Sequence, residues 1–143
     1  MKKLLILLTL TALTTGCVNR VGDFTVASTK NVDMNDTHFT EGARVEGSDT
    51  TIAIILPLGT PSVKEAMDNA IEKDRCAVAL NDAVVDNGFF YLYLGAFWMD
   101  VEGTLIMDES KEGCEGAGKR SREQALAQAS SSKKKSTSHS RAY

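Results

Sequence analysis

Apolar and polar positions alternate over short stretches along most of this chain, and in one place the apolar residues recur with a helical period. Phe24 to Thr29 is rich in β-formers and lies between Gly22 and the polar stretch Lys30 to Thr37, which predicts a strand. Ala43 to Gly47 predicts a second, short strand, with Gly47-Ser48-Asp49 breaking the chain after it. Thr50 to Leu58, with the run Thr51-Ile52-Ala53-Ile54-Ile55-Leu56, reads as a buried strand that enters a turn at Pro57 and Gly59. A helix is expected over 62–75. Ser62 and Glu65 fit a capping box, and Val63, Ala66, Met67, Ala70 and Ile71 form one apolar stripe opposite Lys64, Glu65, Asp68, Glu72 and Lys73. Ala77 to Val85 predicts another strand, and Asp86-Asn87-Gly88 carries the Asn-Gly pair favoured in a tight hairpin turn. Phe89 to Leu94 and Ala96 to Met107 continue in aromatic and β-branched residues around Gly95. The expected fold class is α+β: a small single domain over 21–108, an antiparallel or mixed sheet of four or five strands with one helix packed on it.

The aromatic residues are concentrated in the second half of that domain. Phe89, Phe90, Tyr91, Tyr93, Phe97 and Trp98 fall within ten positions, whereas Phe24 and Phe39 stand alone. Neighbours on a strand point to opposite faces, so these side chains cannot all enter one core. Either a second face is buried, or the chain bends at Gly95, or an aromatic patch faces a partner. On the last reading Tyr91, Tyr93, Phe97 and Trp98 are the partner-binding residues, since Tyr, Trp and Phe are enriched where proteins bind one another.

The N-terminus gives an address. Met1-Lys2-Lys3 is a short positive segment, Leu4 to Leu13 is apolar, and Thr14-Thr15-Gly16 places small residues before Cys17. The apolar run is shorter than the roughly 20 residues needed to span a bilayer as a helix, so it reads as a targeting segment, residues 1–16. Leu13-Thr14-Thr15-Gly16-Cys17 resembles the lipobox of bacterial lipoproteins, in which the cysteine thiol accepts diacylglycerol before cleavage. The expectation is a mature chain that begins at lipidated Cys17, with 17–20 as a tether. Val18, where Asp would commonly signal inner-membrane retention in enterobacteria, implies sorting to the outer membrane, with the domain facing the periplasm.

Charge divides the rest of the chain in two. Residues 18–116 hold 18 Asp and Glu against 7 Lys and Arg, whereas 117–143 hold 7 basic residues against 1 acidic. Residues 109–143 are therefore expected to be a basic tail, disordered because its Ser, Lys and Thr offer too little apolar surface to offset the entropy of ordering, with at most two helical turns over 122–129. Such a tail is either an arm for anionic lipopolysaccharide, phospholipid or an acidic protein, or a solvated tail or a terminus altered by reading through into foreign sequence; nucleic acid is not an expected partner in this compartment.

No catalytic set emerges, and neither a cofactor nor a metal is expected. His38 and His139 are the only histidines, and there is no nucleophile elbow or phosphate-cradling glycine motif. Asp33-Met34-Asn35-Asp36-Thr37 begins like a calcium loop, but His38 stands where glycine is required and Arg44 where the closing Glu belongs. Asp82 and Asp86 share a face of the predicted strand about 13 Å apart, too far for joint acid–base work. Cys76 and Cys114 remain once lipid claims Cys17. In an oxidising compartment they form either a disulfide or two free thiols.

Val21-Gly22-Asp23-Phe24-Thr25-Val26-Ala27-Ser28-Thr29-Lys30-Asn31-Val32, Pro57-Leu58-Gly59-Thr60-Pro61-Ser62-Val63-Lys64-Glu65-Ala66, Ala79-Leu80-Asn81-Asp82-Ala83-Val84-Val85 and Val101-Glu102-Gly103 together resemble the TRL-like family of small bacterial and phage-encoded lipoproteins. The resemblance covers about residues 1–106 and implies an envelope lipoprotein of no assigned activity. The function expected is that of a non-catalytic outer-membrane lipoprotein that binds an envelope protein from the periplasmic side. A narrower form is a phage-encoded lipoprotein that blocks a receptor against superinfection. The competing class is a host lipoprotein of envelope maintenance or stress signalling.

Overall fold

The computed structural model describes residues 17–33, 35, 38–91 and 94–139; the side chains of Tyr91 and of 133–139 lie outside the described set, as does the targeting segment 1–16. Its strands are β1 (Cys17–Ala27), β2 (Phe39–Ile54), β3 (Leu56–Pro57), β4 (Ala77–Tyr91) and β5 (Leu94–Asp108), with helices α1 (Val63–Ile71) between β3 and β4 and α2 (Ala117–His139) after β5. Every strand pairing is antiparallel, in the order β1-β4-β5-β2-β3. The α+β class and the single sheet are as the residue pattern predicts. The strands are longer than it predicts, and a second helix joins the first.

Two of the expected breaks do not occur, and in both cases a glycine is required by packing rather than by a turn. Gly47 lies inside β2, where a Cβ would come within 2.7 Å of the Ala70 Cβ and closer still to the backbone of Ala66 and Ala70. The missing side chain lets α1 lie directly on the strand. Gly88 lies inside β4 opposite Trp98, and a Cβ there would collide with the indole ring. Asn87-Gly88 is therefore the middle of a strand and not a hairpin turn. β4 continues through Gly88 to Tyr91, which pairs with Gly95 of β5, so the strand preference of Phe89 to Tyr91 outweighs the turn preference of Asn-Gly.

Helix α1 buries the predicted stripe: Ala66, Met67, Ala70 and Ile71 are buried and Val63 is partly so. Ser62 is its N-cap residue, but the capping box does not form. The Ser62 backbone N–H donates instead to the Asp49 carboxylate of β2 at 2.7 Å, which ties the helix start to the sheet. Asp68 accepts from Lys64 at 2.5 Å and from the Thr29 hydroxyl, and these bonds hold its carboxyl below the ordinary range. Beneath the helix the core is formed by Leu80, Ala83, Val85, Val101, Leu105 and Met107. On the other face, Ala79 and Ile106 pack with Val78, Val32 and Phe39 at the far end of the sheet.

The start of the chain and its basic end are both more ordered than expected. Cys17 to Arg20, read as a tether, are the first residues of β1 and pair with Phe89 to Asp86. Residues 117–139, read as disordered, are α2. Cys76 and Cys114 are joined, with Cα atoms 5.6 Å apart and both residues buried, which brings the chain after β5 back to the β4 side of the sheet. Ala117 and Ser121 are then buried, and the Ser121 hydroxyl accepts from the Ala43 N–H at 3.0 Å. The low apolar content misleads because the helix satisfies its own backbone, and because the disulfide has already removed much of the entropy that docking would cost. Beyond Ser121 the helix is mostly exposed, Leu126 included.

Two measurements check this packing. Gly47→Ala should lower stability by about 1–3 kcal/mol in chemical denaturation, because the backbone of α1 rather than a flexible side chain must yield. Reduction of Cys76–Cys114 should cost roughly 4 kcal/mol in the chain-entropy model. It should also speed hydrogen exchange of 117–125 before that of α1, as followed by mass spectrometry.

Candidate functional site

Cys17 opens β1 with its thiol free and exposed, directly opposite Phe89, which in turn lies opposite Phe97 and is stacked on it at 6.2 Å. From this row outward β2, β3, β4 and β5 continue to one end of the sheet. Phe90, Ala96 and Ile52 form the next row, and Leu94, Ile54 and Leu56 the last. Ile55 makes the turn between β2 and β3 with φ 63°, and the Leu58 N–H returns to the Ile52 carbonyl at 3.2 Å. No Asp, Glu, Lys or Arg occurs between Thr50 and Val63, between Asn87 and Met99, or from Leu4 to Asn19. These three stretches converge on the same end of the sheet wherever the structure describes them.

The apolar residues there are not buried. Ile55 is 76% exposed, Leu56 71% and Leu58 74%, and Ile52, Ile54, Leu94, Val18 and Phe89 are exposed as well. This corrects the expectation of a buried strand over Thr50 to Leu58. Only Ala53 of that run is buried. Ile52, Ile54, Leu56 and Leu94 lie on the face opposite Gly47 and α1, the face that neither helix covers. The signal in the sequence was the absence of any charge across the run, which hydrophobic periodicity alone does not separate from a core strand.

The expected partner-binding residues do not form one patch. Phe97 and Trp98 are both half-buried and, as strand neighbours, point to opposite faces: Phe97 to the face of α1, Trp98 to the face that neither helix covers. Tyr93 and the side chain of Tyr91 lie outside the described residues. Trp98 fills the notch over Gly88, and the Asn87 amide donates to its backbone carbonyl at 3.2 Å. On the uncovered face it shares a row with Val18, and the next row inward is Arg20, Asp86, Asp100 and Ser48.

That row begins the charged part of the molecule. Arg20 contacts Asp86 and Asp23 at 3.5 Å, and Arg44 binds Glu102 at 2.6 Å and Asp82 at 3.5 Å. A bulge between Asn81 and Val84, with Asp82 at φ 51°, breaks the alternation that would have set Asp82 and Asp86 on one face. Of the basic residues in α2, Arg122 binds the Glu41 carbonyl, Arg120 the Glu115 carbonyl, and Lys119 lies 3.9 Å from Glu123. A groove of about 550 Å³ between β2, β5, α2 and the turn after α1 is lined by Arg44, Glu46, Lys73, Asp74, Glu102 and Gln124 among others. Asp33 accepts from the backbone and side chain of Asn35, while Met34, Asp36 and Thr37 lie outside the described residues. Among the described residues no group of three or more His, Cys, Asp or Glu is placed to hold a metal.

Burial, and then the Glu46 and Asp86 carboxylates, hold Asp100 above its ordinary value of 3.8, with Trp98 acting weakly against them. The folded protein thus binds this proton more tightly than the unfolded chain does. The stability Asp100 contributes is full below pH 3.8 and is lost as pH rises through its raised folded value. Asp100→Asn should therefore raise the thermal midpoint at neutral pH, and its advantage should vanish in acid below the ordinary aspartate range. A matched series of melts across that window checks the sign. As for relatives, no protein-family model, no curated protein and no solved structure matches the chain.

Proposed function

We propose that this protein is a non-catalytic lipoprotein of the bacterial outer membrane, held by acyl chains on Cys17, which binds an envelope protein from the periplasmic side. The observation that carries the reading is the position of Cys17. The residue that ends the lipobox-like sequence Leu13 to Cys17 has an exposed thiol and lies at the uncharged end of the sheet, so acyl chains attached there extend away from the folded body. The resemblance to TRL-like lipoproteins over residues 1–106 agrees with this.

The chemistry of the carboxylates supports a binding role. Asp82, Asp86 and Glu102 serve Arg20 and Arg44, Asp68 serves Lys64 and Thr29, and Glu109 accepts from the Thr40 hydroxyl at 2.7 Å. These carboxylates join strands of the sheet, α1 to the segment after β1, and the loop after β5 to β2. The surface offered to a partner is the sheet face that the helices leave uncovered, where Trp98 adjoins the Asp86–Asp100 row. An aromatic anchor beside acidic residues suits a partner with a basic, apolar-centred contact.

The test uses the protein expressed in its own membrane. Mass spectrometry of the mature chain should find a tri- or diacylated N-terminal Cys17, and Cys17→Ser should leave unprocessed precursor. Trp98→Ala, checked for fold by circular dichroism, should reduce crosslinking to the partner about thirtyfold, the equivalent of roughly 2 kcal/mol for an interface anchor. A mature N-terminus at any other residue contradicts the anchor, and undiminished crosslinking by a folded Trp98→Ala contradicts the binding face.

A further inference from the structure

We infer that the uncharged end of the sheet, formed by Ile52, Ile54, Ile55, Leu56, Leu58 and Leu94, is a membrane-seating rim that enters the interfacial layer of a phospholipid bilayer and sets the domain upright on the membrane. The inference rests on lipidation of Cys17 and adds what that anchor cannot supply by itself, a fixed orientation.

Four observations converge on this occupant. First, no slack separates the anchor from the body. Cys17 is already hydrogen-bonded into the sheet opposite Phe89, so acyl chains on its sulfur start within two or three strand rows of the rim. Whatever holds Cys17 at a bilayer holds the rim there too. Second, the apolar segment Leu4 to Leu13 precedes Cys17 in the sequence, and Cys17 lies toward this same end of the sheet. Third, the rim is contiguous, exposed and without charge, whereas the rows inward of Trp98 carry Arg20, Asp86, Asp100, Asp23, Glu46 and Glu102. A division into an apolar end and a charged body matches the change from acyl chain to headgroup and water.

The fourth observation is the backbone of Ile55. A β-branched residue at φ 63° is unfavourable, since Gly, Asn or Asp adopt that conformation at far lower cost, and here the side chain is 76% exposed. Folding gains little from an isoleucine at this turn. A bilayer gains an apolar tip. The geometry also places the only tryptophan of the chain, because Trp98 lies four residues along β5 from Leu94, about 13 Å at strand rise. With the rim immersed by roughly 5–10 Å, Trp98 stands at headgroup level, where indole rings concentrate.

Trp98 is therefore a native depth probe. The acylated full mature protein is reconstituted into phosphatidylethanolamine–phosphatidylglycerol vesicles whose acyl chains carry bromine either near the headgroup or near the terminal methyl. Bromine near the headgroup should quench Trp98 strongly and bromine near the methyl weakly. The double variant Ile55→Asp, Leu58→Asp should stay acylated and vesicle-bound yet lose the quenching. Ile55→Asp alone should keep or raise the thermal midpoint, since aspartate accepts the left-handed backbone, and a melt of the double variant close to wild type separates a loss of quenching from misfolding. Unquenched Trp98 in the acylated, vesicle-bound wild type, or equal quenching in the double variant, overturns the rim.

If mass spectrometry finds no acyl group on Cys17, the anchor reading fails separately. The rim is then judged by sedimentation of the unacylated chain with the same vesicles. Binding that the two aspartates abolish supports it, and absence of binding overturns it. A second copy as occupant is distinguished without lipid. A dimer that the double variant dissociates, with Trp98 shielded from a soluble quencher, overturns seating in the bilayer.

Discussion

The approach of α1 to Gly47 is the constraint on which the rest of the arrangement depends. The helix lies against the middle of β2 because that residue has no side chain, and it presents Ala66 and Ala70 so that backbone meets backbone. A contact made of such small groups gives little transfer free energy per residue, and its strength is the dispersion that close packing allows. The rest of the core follows from it. Val85 and Val101 share the row of Gly47, and Ile71, Leu80, Leu105 and Met107 fill the space toward the end where the disulfide closes. Asp49 holds the helix start on the same strand.

Fixing the helix at that row also divides the sheet. On the face opposite α1 the strands carry Ile52, Ile54, Leu56 and Leu94 exposed toward one end, whereas the face of α1 buries Ala53, Leu80, Val85, Val101, Leu105 and Met107. In a freely soluble domain burial of that exposed set would stabilise more, at roughly 25 cal/mol for each Å² of apolar surface removed from water. The exposed set is also where the backbone bears its cost at Ile55. The lipid-facing rim inferred above is one account of both features.

At the other end of the sheet, the Cys76–Cys114 bond performs the work that apolar burial performs elsewhere. It returns the chain to the sheet just before Ala117, so that two helical turns dock through small groups and one hydroxyl. Order at 117–121 is thus a consequence of a cross-link thirty-eight residues long in sequence rather than of local composition.

By itself the sequence determined the α+β class, the apolar stripe of α1, the strand character of 24–27, 51–54, 77–85 and 96–107, and the absence of charge around the aromatic run, because these depend on local periodicity and residue type. It also held the anchor reading at Cys17 and the even pair of cysteines. Tertiary structure alone decided that Gly47 and Gly88 are packing notches and not breaks, since a glycine admits both uses and only the neighbour, Ala70 or Trp98, selects one. It decided that Phe97 and Trp98 face apart, that the bulge at Asp82 separates two acids, and that a polar tail is ordered by a distant disulfide. Above all it decided which apolar run is buried and which is exposed. Thr50 to Leu58 reads as a buried strand and Ala77 to Val85 as a strand, and the difference in burial lies in which face of the sheet the helices cover, a fact that no local pattern contains.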